Sequence, residues 1–159
     1  MNVELVDFQP LPVSMVNYDR KYVYCKYPED IEEYDYLYNL KESDEVKFDL
    51  LIRSGVFIHI SQDGWAYLFP IAQRRWSYNY NIDVDEFLEL FFYYFSSEVK
   101  LDHLLMRFDK GNLIKIRDWC IYILIYKYRN TFVENSSDSI RLIISKIDNL
   151  LGMEIVFIE

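Results

Sequence analysis

Apolar and polar positions alternate most regularly between Val46 and Ile71. In "EVKFDLLIR", Val46, Phe48, Leu50 and Ile52 fall on one side and Lys47, Asp49, Leu51 and Arg53 on the other. That period of two predicts a strand. "SG" at Ser54–Gly55 offers a turn, "VFIHISQ" a second strand, "DG" at Asp63–Gly64 a hairpin turn, and "WAYLFPI" a third strand. Earlier, "VELVDF" and "KYVYCKY" have the β-branched and aromatic content of short strands, and "MEIVFIE" near the end reads as a returning one.

Other stretches carry the helical period. Glu29 to Leu40 reads as a helix with Pro28 at its start and acids in its first turn. On its wheel Ile31, Tyr34 and Leu37 face inward, while Glu32 and Asp35 face water with Tyr36 at their edge. "DVDEFLELFFYYF" predicts a helix capped by Asp83 or Asp85, and "SSEVKLDHLLMRF" another capped by Ser97. "KGN" predicts a break at Gly111. "NLIKIRDWCIYILIYKYRN" is apolar nearly all round, which suits a central helix or a buried strand; its length favours helix. In "SSDSIRLIISKIDNLLG", Ile140, Ile143, Ile144, Ile147, Leu150 and Leu151 fall at helical spacing, with Ser136–Asp138 as cap and Gly152 as stop.

Together these elements predict an α+β fold in one domain, residues 1–159: an antiparallel sheet from the N-terminal half, with its meander around 46–71, packed against a helical C-terminal half. A mainly α fold is the alternative, if 46–53 and 112–130 are both helical. The chain has 159 residues and an apolar fraction of 52%, enough for a core without staples.

Charge changes the picture. The formal net charge is −9, and Glu29–Asp49 alone holds nine acids and two bases, whereas Arg107–Arg129 holds six bases and two acids. Such acidity repels phosphate and argues against direct nucleic-acid binding. Cys25 and Cys120 form no C-x-x-C. The N-terminal residues read as no signal peptide, and the apolar run Trp119–Tyr126 is too short to span a bilayer. The expected setting is cytoplasmic, without membrane contact.

Little in the sequence points to chemistry. His59 and His103 belong to no recognised motif, and the glycines Gly55, Gly64, Gly111 and Gly152 build no phosphate loop or nucleophile elbow. No cofactor or metal is expected. Glu45-x-Lys47 on a strand has the spacing of a metal-dependent nuclease, with the carboxylate on Mg²⁺ and the lysine at the attacked phosphate. It lacks an evident partner aspartate.

Binding is the stronger expectation. Clustered carboxylates steer a basic partner, and tyrosine gives contact area at low entropy cost. Glu32, Asp35, Tyr36, Glu42, Asp44 and Glu45 are the candidate contacts, joined by Trp65, Trp76 and Tyr78 from a second aromatic surface. The expected function is an acidic binding protein that neutralises a partner protein: an immunity protein or antitoxin-like inhibitor of a basic, nuclease-type toxin. A phage-type inhibitor of a host defence complex, mimicking nucleic-acid charge, uses the same physics.

Overall fold

A computed structural model describes residues 2–17, 28–52, 59–78 and 82–154. Among them are seven helices: α1 (Pro28–Tyr38), α2 (Phe48–Leu51), α3 (Gln62–Tyr78), α4 (Ile82–Tyr94), α5 (Glu98–Leu105), α6 (Lys110–Tyr126) and α7 (Thr131–Leu151). No strand forms among the described residues; the sole β pairing is an isolated antiparallel bridge between Val16 and Ile60. The expected α+β sheet is therefore wrong, and the fold is mainly α. The chain divides into two compact units, Phe8–Phe87 and Met1–Asp7 with Leu88–Glu159, and the division falls within α4.

The error centres on 46–71. Its third predicted strand, "WAYLFPI", lies inside α3. Ser61 precedes the helix, and its Oγ accepts a hydrogen bond from the Gly64 N–H at 2.9 Å, so "SQDG" is an N-cap and first turn rather than a hairpin. Trp65, Leu68, Phe69, Ala72 and Trp76 then face inward at helical spacing. Pro70 sits mid-helix and is tolerated there, although proline cannot donate a backbone bond. The first predicted strand becomes an irregular connection and the four-residue α2. Of the second, residues 56–58 lie outside the described residues, as do "SG" at 54–55 and "KYVYCKY".

In the 8–87 unit a short strap closes over the start of α3. Asn17 N–H donates to the His59 carbonyl at 2.8 Å and Ser61 N–H to the Met15 carbonyl at 2.9 Å. Ser61 Oγ donates to the Ser14 carbonyl at 2.8 Å. The strap lies so close that a Cβ on Gly64 would sit 2.8 Å from the Met15 carbonyl oxygen, which is why this position needs glycine. Beneath it Phe87 packs against Trp65 and Phe48, with ring centroids 5.6 and 4.8 Å apart.

The other unit is built on α6 and α7. Asp109 caps α6 by accepting from Asn112 N–H at 2.8 Å, so Gly111 lies in the first turn of a helix and breaks nothing. Asn130 caps α7, accepting from Phe132 N–H at 2.9 Å. The predicted cap at Ser136–Asp138 is thus too late, and Ser136 is buried in the helix. Gly152 ends α7 with φ 64°, as its sequence signal implied. Ser97 stands at the N-cap of α5, while Asp83 and Asp85 lie within the first turn of α4. Phe92 stacks between Trp119 and Phe132, at 6.3 and 6.1 Å. The Cys120 thiol is enclosed, and burial pushes its pKa well up, which makes it inert.

One ion pair lies inside this core. Arg117 donates through Nε to Asp148, fully buried on α7, and through Nη1 to Asp118 at 3.2 Å. "VELVDF" is no strand; it runs along α6, with Asp7 N–H donating to Asn112 Oδ1 at 2.9 Å and Lys115 pairing with Asp7 at 2.9 Å and Glu4 at 3.9 Å. Met153 and Glu154 follow α7 without regular structure, and the rest of the predicted last strand lies outside the described residues.

Candidate acidic interface

The candidate surface lies in the 8–87 unit, where the connection from α1 to α2 meets α3. The connection is shaped by its own polar groups. Asp44 Oδ2 accepts from Lys41 N–H at 2.8 Å, and Asp44 N–H donates back to the Lys41 carbonyl at 2.9 Å. The Tyr36 hydroxyl accepts from Lys47 N–H at 2.8 Å, which ties α1 to the residue that precedes α2. From α3, Arg75 donates to the Val46 carbonyl, pairs with Glu45 at 3.6 Å and lies over the Phe48 ring at 5.1 Å.

These contacts gather carboxylates around two phenols. Burial raises the Tyr36 pKa, and the Asp44 and Asp49 carboxylates raise it further, against the bond from Lys47 and the charge of Arg75. Burial also raises Tyr67, helped by Glu42, Asp44 and Tyr36 itself. Asp44 thus acts on hydroxyls from both α1 and α3, joined by Asp49 at the first and Glu42 at the second. Glu42, Asp44, Glu45 and Asp49 are all exposed, and among the described residues neither Glu42 nor Asp44 is ion-paired. Tyr67, Ile71, Arg75 and Tyr78 follow at helical spacing along α3, so Tyr78, 77% exposed, lies one turn beyond the Arg75–Glu45 contact.

No family model, curated protein or solved structure matches this chain. Its surface must be read from its own residues.

The structure sorts the candidates into those that face water and those that do not. Glu32 is exposed on α1; Asp35 and Tyr36 are half-buried rather than fully exposed. Tyr34 and Leu37 are buried as expected, and Ile31 only partly so. Two of the nine acids between Glu29 and Asp49, Asp30 and Glu33, are buried and leave the surface. Trp65 is wholly enclosed against Phe87, so it is a core residue and no contact. Trp76 is also buried, its Nε1 donating to Asp85 Oδ1 at 2.9 Å. Tyr67 shapes the patch without having been singled out as a contact. Its signal was the helical spacing of Tyr67, Ile71, Arg75 and Tyr78, which a strand reading hides.

Glu45 and Lys47 are not on a strand, and the Glu45 carboxylate turns to Arg75 rather than to a second acid. Among the described residues no three His, Cys, Asp or Glu side chains are placed to hold a metal ion. His59 packs edge-on against Tyr34 at 6.3 Å, and burial pushes its imidazole below the ordinary value against the pull of Asp30. No described helix is long and apolar enough to cross a membrane.

Proposed function

We propose that the chain is a protein-binding inhibitor. Its carboxylates around Tyr36 and Tyr67 occupy the basic, nucleic-acid-binding surface of another protein. The placing of exposed Asp44 against phenols from two helices, with Asp49 acting on Tyr36 and Glu42 on Tyr67, supports this reading. Carboxylates so placed speed encounter with a cationic surface and fix its orientation. Tyr78, exposed at the edge of the patch, supplies the aromatic anchor that Trp65 and Trp76 cannot.

A nuclease-type toxin and a nucleic-acid-binding defence complex both present this kind of surface. The toxin is the first expectation, and charge mimicry against a defence complex is the second. Capture from cells of the source strain separates them by what is retained. The bound protein should be basic, should release at high salt, and should lose its own nucleic acid when the chain is added. Capture that is equal for wild type and for Glu42→Lys with Asp44→Lys would refute the proposal.

A further inference from the structure

Helix α6 lies at the surface yet is apolar on nearly every side. Its inner face is Leu113, Ile116, Cys120, Ile123 and Leu124, all buried. At 100° per residue, Ile114, Asp118, Ile121, Tyr122 and Ile125 share the opposite face. Ile125 is 46% exposed, and Tyr126 and Tyr128 are each 57% exposed. A surface helix normally turns a charged face outward; one that is apolar all round is normally enclosed.

The two ends of this face differ in shape and in charge. At the N-terminal end a groove of about 600 Å³ opens between residues 2–4 and α6, bounded by Ile114, Lys115, Asp118 and Ile121. Lys115 is engaged by Asp7 and Glu4; the acid on the helix face here is Asp118, half exposed although Arg117 Nη1 reaches it at 3.2 Å. At the C-terminal end Tyr126 and Tyr128 project, flanked by exposed Lys127 and Arg129, with the Arg129 guanidinium over the Tyr128 ring at 5.6 Å. One end is a groove with an acid, and the other a pair of knobs with two bases.

We infer that this face pairs with α6 of a second copy of the chain, antiparallel, about a two-fold axis beside Tyr122. Residue numbers facing each other then sum to about twice 122. Asp118 of one copy comes opposite Tyr126 of the other, within one turn of its Lys127 and Arg129. Each copy's tyrosines reach the other's groove, while Ile121, Tyr122 and Ile125 meet at the axis. A two-fold interface must be self-complementary in this way. A parallel pair would set acid on acid and base on base. The pairing uses the unit that contains α6 and does not rest on the acidic interface.

Sedimentation equilibrium of the full chain tests it. Wild type should have twice the chain mass at micromolar concentration. Ile125→Glu, a change at a half-exposed position, should give a folded monomer with unchanged helical circular dichroism. Lys127→Glu with Arg129→Glu should raise the dissociation constant about tenfold or more, as close like charges do at an interface. Adding Asp118→Lys to that pair should recover most of the loss. A wild-type chain that stays monomeric overturns the inference, including one that instead binds anionic vesicles through this face. So does a dimer that survives Ile125→Glu, a triple variant no tighter than the double, or a dimer dispersed by Glu42→Lys with Asp44→Lys, which would indicate head-to-tail contact through the acidic patch.

Discussion

The two units handle charge in opposite ways. In the unit containing α5 to α7, acids meet cations at close range. Lys146 pairs with Asp102 at 3.2 Å and Glu98 at 3.5 Å, Lys115 with Asp7, and Arg117 with Asp148 inside the core. In the 8–87 unit, Glu42 and Asp44 stand at the surface without a cationic partner among the described residues, and Arg75 meets the exposed Glu45. The totals lean the same way: residues 8–87 hold fourteen acids and eight bases, the remainder twelve and nine. In the first unit these pairs join separate elements; in the second, Asp44 is held by the Lys41 backbone N–H, and Glu42 and Asp44 face outward.

The contrast can be broken at its strongest point first. Arg117→Ala leaves the Asp148 carboxylate buried and uncompensated. Urea denaturation should show a loss of about 3–5 kcal/mol, since removing one partner of a buried pair strands the other. Next in size is Gly64→Ala. Its Cβ would press on a backbone oxygen of the strap, and the expected cost is about 1–3 kcal/mol, with loss of amide-exchange protection at Ser61 and Asn17.

The third effect is a dependence on pH in the 8–87 unit. His59 is depressed by burial, so the unfolded chain takes up its proton first. The stability it contributes is complete above the ordinary value of 6.5 and declines as pH falls below that toward the folded value. Thermal melts should show that decline in wild type and a flatter profile in His59→Phe. Smallest is Glu45→Gln, an exposed partner of Arg75, which should change stability by no more than about 0.5 kcal/mol.

Legibility followed the same division. Helix α7 could be read because it has one wet side: Ile140, Ile143, Ile144 and Ile147 are buried between exposed Asp138, Arg141 and Asn149. The start of α3 has none. Residues 64 to 70 are all buried, so their hydrophobicity has no period to distinguish helix from strand. Into that silence the Asp63–Gly64 hairpin signal spoke alone, and Ser61 as a cap was overlooked. One misread element then misplaced the surface, because a strand sets Trp65 and Tyr67 on one face and hides the helical row of Tyr67, Arg75 and Tyr78. The acidic positions Glu42, Asp44 and Glu45 were legible directly, since charged residues in a loop stay wet in almost any fold. The burial of Asp30 and Glu33 had no local signal, because α1 carries acids on both sides.

The central claim is that the carboxylates near Tyr36 and Tyr67 steer a cationic partner. Its most direct test is the association rate of the chain with its captured partner, followed by stopped flow across a range of salt. Wild type should associate fast at low salt and slow steeply as salt rises, while Glu42→Lys with Asp44→Lys should be slower and nearly salt-independent, with its helical content unchanged. Equal rates and equal salt dependence for the two proteins would contradict the account.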